Sequence, residues 1–213
     1  FTGFDVEFSY IDSYEDVMDL EEALLTHALG KIAEKYGDEI VSLFDKPVVV
    51  PDKPFPRVKL EDVYSEIEKR YGYKVEESEK TDLTSEAEKL ACQYAMEEFG
   101  SEFIFVTDFK PDKRAFYHMR DDAGMPLGYD LLWRGVEITT GAQREHRYEI
   151  LKKQAEEKGL SKDVEFYLEF FKYGCPPHGG FGLGIDRLTM LLLGLPSLKE
   201  TEFIFRGPNR LNP

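Results

Sequence analysis

Residues 178–187 read His-Gly-Gly-Phe-Gly-Leu-Gly-Ile-Asp-Arg and run directly into the apolar stretch 188–195. The segment predicts a short strand that passes into a helix, with Arg187 at the helix start. Four glycines remove side chains, so a flat ligand can lie against the backbone, and a helix start favours anionic groups. The pattern indicates either a site for a flat polyanion, with a nucleotide as the first candidate, or a tight turn carrying a surface arginine.

The spacing of this segment differs from two common nucleotide-binding motifs. Gly182, Gly184 and Arg187 are spaced G-x-G-x-x-R. The dinucleotide-binding fingerprint needs glycine at the last position and usually lies near the start of its domain. A P-loop is excluded as well, because no Gly-Lys-Ser/Thr follows.

A broken strand precedes the glycine segment. Residues 129–140 predict two strands joined by a turn at Arg134-Gly135, which brings Asp130 and Glu137 close together across the hairpin. Two unpaired carboxylates repel unless a cation lies between them, and Mg²⁺ is held by one or two carboxylates plus nucleotide phosphates. The alternative is two ordinary exposed acids in a chain that has 42 of them.

Two further segments carry candidate ligand-binding residues. In the polar run 141–147, Arg144 is suited to binding a carboxylate through two parallel hydrogen bonds, although a charged helix start explains the same pattern. By itself, His146 fits a structural histidine. In the first strand, Asp5 and Glu7 face one side and Phe1 offers a ring for stacking, although an amphipathic strand explains this spacing too.

The composition limits the class of protein. The chain has 213 residues, of which 42% are hydrophobic, so it can form one sizeable domain. Its net charge of −15 argues against non-specific nucleic-acid binding by the whole surface and leaves a local basic groove open. Two cysteines and no apolar run of ~20 residues predict a cytoplasmic protein without a membrane span. Because Phe1 opens directly into a strand, we expect the chain to begin partway through a longer protein.

Periodicity predicts an α+β fold with a mainly antiparallel sheet flanked by helices. A capped helix start is expected at Ser13, with the helix closed by Gly37. Its predicted inner face consists of Val17, Leu20, Leu24 and Ala28. The other predicted helices are 60–71, 85–99, 147–158 and 163–172, and the other strands are 4–10, 102–109 and 114–120.

Taken in order, these segments resemble the C-terminal part of a class II aminoacyl-tRNA synthetase catalytic domain, nearest to the aspartyl enzymes of archaeal and eukaryotic type. The resemblance rests on residues 1–7, 130–147, 173–187 and 205–213, and it covers essentially the whole chain, 1–213. It implies a class II synthetase-like antiparallel sheet. The family's first motif, half of its second motif and its N-terminal anticodon-binding domain are not within this sequence, so we expect the chain alone to be inactive.

The resemblance also implies roles in ATP binding. Arg187 matches the catalytic arginine of the third motif, which holds the ATP γ-phosphate, and Gly182 and Gly184 match the floor of the adenosine pocket. Asp130 and Glu137 match the acids that bind magnesium on ATP. Phe1 matches the phenylalanine that stacks on adenine.

Further matches concern the amino acid. Arg144 matches the arginine that recognises the side-chain carboxylate of aspartate, and Asp5 matches an acid that binds its α-ammonium group. Thr140 stands where serine is common, and His146 matches a histidine near the substrate. One departure is Asp186, where glutamate is more usual beside the motif arginine. Another is the loop 121–128, which is shorter than expected.

The function implied is activation of L-aspartate with ATP and Mg²⁺, then transfer to tRNA(Asp), or also to tRNA(Asn), by a homodimer of the full-length protein. One alternative is a paralogue that makes asparagine or another small amide through aspartyl-adenylate without tRNA. Another is a non-catalytic synthetase-like binding module. Asparaginyl specificity is a nearer alternative, although the string 141–144 is aspartyl-like.

Overall fold

The computed structural model describes residues 1–76, 80–160 and 162–212. The strands are β1 (Gly3–Ser9), β2 (Arg57–Lys59), β3 (Phe103–Thr107), β4 (Gly128–Trp133), β5 (Val136–Arg144) and β6 (His178–Gly184). The helices are α1 (Tyr14–Phe44), α2 (Leu60–Tyr71), α3 (Ser85–Phe99), α4 (Tyr148–Glu157), α5 (Glu165–Phe171) and α6 (Ile185–Leu193). Pro213, the end of the C-terminal segment that resembles the family, lies outside the described residues.

The strands of the described residues form one sheet in the order β1-β6-β5-β4-β3-β2. Every neighbouring pair is antiparallel except β2–β3, so the α+β class with a mainly antiparallel sheet is confirmed. The glycine segment forms β6, inside the sheet, and passes into α6 as predicted. The predicted hairpin also forms, with Arg134 and Gly135 at positive φ in its turn.

Helix α1 packs on one face of the sheet and begins at the predicted cap. The Ser13 side chain accepts a hydrogen bond from the backbone, and Asp16 completes the capping box. The predicted end at Gly37 is wrong, since the helix continues to Phe44 and is capped by Asp45. A helical glycine costs only about 1 kcal/mol relative to alanine, which a long packed helix tolerates.

The buried side of α1 differs in part from the prediction. Val17 is buried as expected, but Leu20 is 41% exposed. Leu24 and Ala28 are only half-buried. The residues of α1 with the least exposure are Val17, Met18, Glu21, Leu25 and Leu29. The buried stripe of α1 therefore passes through the residues that directly follow Leu20, Leu24 and Ala28 in the sequence. One of these residues is Glu21, so the stripe includes a buried carboxyl group.

Helices α2 and α3 cover the opposite face of the sheet at the β2–β4 end, where they form a second core with Ile104, Val106 and Leu132. Helix α3 is capped by the Thr84 side chain, which accepts a hydrogen bond from the Ala87 amide. At the β1–β6–β5 end, this same face is open and carries a cavity.

The predicted strand 114–120 is wrong. The segment forms a loop after a short 3₁₀ helix at Pro111–Lys113, and its backbone pairs with the sheet at an isolated bridge between His118 and Arg144. Its alternating residues do not line one face of a strand. Instead, Arg114, Phe116 and His118 are all buried, in different surroundings.

Both cysteines are free thiols. Cys92 is buried in the α2–α3 core, and burial raises its pKa to about 12, so this thiol is neutral at physiological pH. None of the helices in the described ranges combines the length and the apolar composition that crossing a bilayer requires.

Candidate active site

A cavity of about 540 Å³ lies over the open end of the sheet. Eight of the ten residues selected from the sequence line it. They are Phe1, Asp5, Glu137, Thr140, Arg144, Gly182, Gly184 and Arg187. Asp130 and His146 do not line it, whereas Tyr117 and His118, which were not selected, do. The lining residues named here come from four separate segments of the chain, which meet at one cavity.

Strand register explains why these segments meet. Gly182 pairs with Thr140 on one side and with Asp5 on the other. Residues paired in neighbouring strands point to the same face, so the Thr140 and Asp5 side chains flank the bare backbone of Gly182. A Cβ at position 182 would lie 2.8 Å from Asp5 Oδ1. The glycine therefore leaves room for a ligand and keeps the cavity floor flat.

Arg144 is a carboxylate-binding group. Its Nη2 donates to Glu7 Oε1 at 2.8 Å and its Nε to the same oxygen at 3.2 Å. The guanidinium also lies 4.7 Å from the centre of the Tyr117 ring. The Arg144 side chain is only 13% exposed, whereas that of Glu7 is 53% exposed. The arginine is therefore held in place while its carboxylate partner remains free to leave.

Asp130, Thr140 and Glu137 form a connected set at the cavity wall. The Thr140 hydroxyl oxygen lies 2.9 Å from Asp130 Oδ1 and 3.1 Å from Glu137 Oε1. Burial raises the pKa of Glu137, and the nearby charge of Asp130 raises it further, whereas Arg187 lowers it. Asp130 is buried and accepts two hydrogen bonds from Arg114. The predicted closeness of Asp130 and Glu137 is present, with Thr140 between them.

Arg187 stands in the first turn of α6. Its Nη1 donates to the Glu137 carbonyl oxygen at 2.6 Å, and its side chain is 45% exposed. Beside it, Asp186 accepts a hydrogen bond from the Thr2 amide at 2.7 Å, which ties the start of β1 to α6. Arg187 thus faces the cavity from an anchored position, with its Nη1 also 3.7 Å from Glu137 Oε1.

Two histidines lie near this region in different environments. His118 lines the cavity, and burial lowers its pKa to about 3, with further lowering by Arg144 and Arg114. Burial also lowers the pKa of His146, against the opposing effect of Glu145. Both imidazoles are therefore neutral at pH 7. His118 was not selected because residues 114–120 were predicted to form a strand, whereas the folded loop buries this side chain beside Gly128 and Arg144.

Comparison with known proteins identifies the family. The family model of the class II tRNA synthetases for aspartate, lysine and asparagine matches residues 1–205. This chain belongs to that family. The aspartate–tRNA(Asp/Asn) ligase of Aeropyrum pernix is 39% identical over 213 residues, covering 98% of this chain and 48% of the relative. The chain thus spans about half the length of this curated relative.

Solved structures of synthetases share the fold. The aspartyl-tRNA synthetase of Entamoeba histolytica superposes with a TM-score of 0.88 at 30% identity, over 99% of this chain and 44% of that one. The asparaginyl-tRNA synthetase of Pyrococcus horikoshii gives 0.83 at 30% identity, over 99% and 50%. The sheet and helices described above are therefore those of a class II synthetase domain.

The oxygen groups at the cavity can be compared with what Mg²⁺ requires. Within the described residues, no cluster of three or more His, Cys, Asp or Glu side chains is arranged to hold a metal ion. Mg²⁺ bound together with a nucleotide needs only one or two carboxylates, because phosphates and water supply the other ligands. Glu137 fits this requirement because it faces the cavity. Both oxygens of Asp130 are already bound by Arg114.

Proposed function

We propose that the protein activates L-aspartate with ATP to form aspartyl-adenylate and transfers the aspartyl group to tRNA(Asp). The observation that carries this proposal is the presence of Arg144 and Arg187 in one cavity. One is an anchored carboxylate-binding arginine, and the other is a half-exposed arginine at a helix start beside a glycine floor. A carboxylate and a polyphosphate are the groups that these two arginines suit.

The amino acid is placed at the Arg144 end of the cavity. Arg144 binds the side-chain carboxylate of aspartate after Glu7 leaves, and Asp5 binds the α-ammonium group. Thr140 lies on β5, the strand that carries Arg144, and Gly182 of β6 separates it from Asp5. In this proposal its hydroxyl contacts the substrate. His146 does not line the cavity, so the proposal assigns it no direct contact with aspartate, in contrast to the role that the resemblance implies.

ATP is placed at the α6 end. Phe1 stacks on adenine, and the backbone of Gly182 and Gly184 forms the floor under the adenosine. Arg187 binds the γ-phosphate. Glu137 is the carboxylate that would hold Mg²⁺, which when bound neutralises charge on the phosphates.

The reaction then proceeds mainly by positioning. The α-carboxylate oxygen of aspartate attacks the α-phosphorus of ATP in line, and the bond to the bridging oxygen of pyrophosphate breaks. Arg187 stabilises the charge that develops on the leaving pyrophosphate. In the second step, a hydroxyl of the terminal tRNA ribose attacks the activated carbonyl and AMP leaves. No nucleophilic side chain is needed.

Further features of the full-length protein belong to the same proposal. We expect it to be a cytoplasmic homodimer, with the rest of the synthetase contributing the opposite wall of the cavity and the anticodon-binding domain. Charging of tRNA(Asn) in addition to tRNA(Asp) is included, because the relative from Aeropyrum pernix is named for both tRNAs.

Two measurements on the full-length protein test the proposal. Aspartate-dependent exchange of labelled pyrophosphate into ATP reports the first step, and labelled aspartate on tRNA(Asp) transcripts reports the second. We expect both activities. Exchange without charging would instead favour a paralogue that makes a small amide from the adenylate. Absence of exchange would favour a non-catalytic module, and faster exchange with asparagine than with aspartate would favour asparaginyl specificity.

A further inference from the structure

Glu137 lies where β6 no longer supplies partners for the backbone of β5. The pairing of these two strands begins at Thr139 and Leu183, and β6 passes into α6 directly after Gly184. Within the described residues, Glu137 therefore has no paired residue in β6. Backbone N–H and C=O groups that leave a strand ladder need other partners, either side chains or water.

Two side chains from different helices bind the backbone of Glu137. The Glu88 carboxylate, in the first turn of α3, accepts a hydrogen bond from the Glu137 N–H, with 3.2 Å between the nitrogen and Oε2. Arg187, in the first turn of α6, donates from Nη1 to the Glu137 carbonyl oxygen at 2.6 Å. Both donors are N–H groups and both acceptors are carbonyl or carboxylate oxygens, so the direction of each bond is fixed by its chemistry. One residue of β5 thus joins α3 to α6.

The position of the Glu137 carbonyl oxygen affects how Arg187 faces the cavity. A guanidinium is planar, so holding one of its N–H groups restricts the directions of the others. Arg187 and Glu137 line the cavity, whereas Glu88 does not. Burial raises the pKa of Glu88, whereas the hydrogen bond from Glu137 and the charge of Arg187 lower it. The Glu88 carboxylate is therefore close enough to the guanidinium to interact with its charge.

We infer that Glu88 is a positioning residue for Arg187: it holds the backbone of Glu137, whose carbonyl oxygen orients the guanidinium towards the polyphosphate of ATP. This role rests on the proposed function, in which Arg187 binds the γ-phosphate. It requires no contact between Glu88 and ATP, and it does not depend on which groups hold the cation. Misplacing a binding group by about 1 Å can cost about 100-fold in rate, so a side chain outside the cavity can affect the reaction.

The contribution of Glu88 can be measured in the full-length protein as the preference for ATP over AMP, which lacks the β- and γ-phosphates. The dissociation constants of both nucleotides are determined by calorimetry with excess Mg²⁺, and their ratio is the preference. Glu88→Met keeps the length and the helix propensity of the side chain but has no oxygen acceptor. Because a hydrogen bond is typically worth about fivefold in an equilibrium constant, we expect Glu88→Met to lower the preference by about fivefold or more. The affinity for AMP should change little.

Four further variants separate positioning from general stability. Glu86→Met is the matched control, because Glu86 also lies in the first turn of α3 but pairs with Lys89 at the surface; it should keep the preference. Glu88→Gln retains an oxygen that accepts from the Glu137 N–H, so it should keep most of the preference. In an Arg187→Leu background, adding Glu88→Met should lower the preference by less than about twofold. If Glu88→Met does not fold, Glu88→Asp replaces it, because its carboxylate is one methylene too short to reach the Glu137 N–H.

The outcomes distinguish this role from the function on which it rests. A lower preference in Glu88→Met, with retention in Glu86→Met and Glu88→Gln and no further loss in the Arg187→Leu background, supports it. If Glu88→Met keeps the preference, weakens ATP and AMP equally, or adds its full loss to that of Arg187→Leu, Glu88 does not act through Arg187 and the inference alone is overturned. Equal losses in Glu88→Gln and Glu88→Met would overturn it too, since charge rather than the hydrogen bond would be the cause. If wild-type protein binds ATP no more tightly than AMP, the γ-phosphate contact of Arg187 in the proposed function fails together with the inference.

Discussion

Arg144 illustrates how one side chain can be prepared for a ligand before the ligand arrives. Its guanidinium binds Glu7 through Nε and Nη2 and rests on Tyr117. Glu7 therefore takes the place of the substrate carboxylate, while its exposure allows exchange. The sequence could indicate this arginine because it follows an apolar strand within a polar run. It could not indicate Tyr117, which comes from a loop.

The carboxylate-binding role of Arg144 is tested by Arg144→Leu in the full-length protein. Removing a buried hydrogen-bonded partner of a charge costs on the order of 2–5 kcal/mol, so the KM for aspartate should rise by about 30-fold or more. The KM for ATP should change far less. Arg147→Leu serves as the control, since Arg147 also pairs with a carboxylate, that of Glu145, but does not line the cavity. Comparable increases in both KM values would contradict the assignment.

At the scale of secondary-structure elements, α1 carries an ionisable group into the core. Glu21 is fully buried between the helix and the sheet, and its Oε2 accepts a hydrogen bond from the Tyr129 hydroxyl at 2.7 Å. Its Oε1 is buried and has no hydrogen-bond partner among the described residues. Burial raises the pKa of Glu21 from 4.5 to about 7. The neutral acid is therefore the form that the packing of α1 favours.

This raised pKa predicts a pH dependence of stability. Between pH 4.5 and 7 the folded state holds a proton that the unfolded state has lost, so the contribution of Glu21 to the unfolding free energy falls as pH rises through this window. The total loss is on the order of 3 kcal/mol. Relative to wild type, Glu21→Gln should therefore gain stability from pH 5 to pH 8 in urea denaturation. Glu34→Gln, on the exposed side of α1, should run parallel to wild type, and a parallel Glu21→Gln curve would refute the prediction.

The β1–β6 pair depends on close backbone contact. A Cβ at Gly180 would lie 2.0 Å from the Val6 carbonyl oxygen, and that backbone cannot move without opening the strand pair. At Gly184, by contrast, the nearest atom to a Cβ is Arg187 Cδ at 3.6 Å. Close backbone packing thus requires glycine at position 180 but not at position 184, although both residues belong to β6. The spacing of the glycines in the sequence does not distinguish these two cases.

Alanine substitutions distinguish these two glycines. Gly180→Ala should lower the free energy of unfolding by about 1–3 kcal/mol or more through overpacking. Thermal and urea unfolding measure this change. Gly184→Ala should stay within about 1 kcal/mol of wild type, because its φ of −77° suits alanine. The proposed function places position 184 in the floor under the adenosine, so the added methyl group of Gly184→Ala should nevertheless raise the KM for ATP. Equal destabilisation by the two substitutions would show that close contact with Val6 is not the cause.

At the scale of the whole molecule, local patterns predicted the sheet class and the hairpin. Local patterns together with the family resemblance selected ten site residues, of which eight line the cavity. Six of the eight, all except Phe1 and Arg187, lie on strands, whose period of two fixes the direction of a side chain. Arg114 and His118 were missed because residues 114–120 were predicted to form a strand, whereas they form a loop. Their burial depends on Asp130, Gly128 and Arg144, which are brought near only by the folded sheet. Such contacts are set by tertiary packing and leave no local signal.

The net charge of the chain predicts how salt affects its stability. With 42 acidic and 27 basic residues, the folded protein has an excess of 15 negative charges, and compaction brings them together. Salt weakens this repulsion, and it also weakens exposed ion pairs such as Lys31–Glu34, which contribute only about 0–1 kcal/mol each. Because repulsion acts among all the excess charges, its screening should dominate.

We therefore expect the melting temperature to rise by several degrees between 20 and 500 mM potassium chloride, with most of the rise below about 150 mM, where the Debye length falls to about 8 Å. Chloride is the suitable anion, because sulfate would add the separate stabilising effect of exclusion from the protein surface. Repeating the titration at pH 5, where protonation begins to reduce the negative charge, should give a smaller rise. A melting temperature that falls with added chloride would mean that ion pairs outweigh net repulsion in this fold.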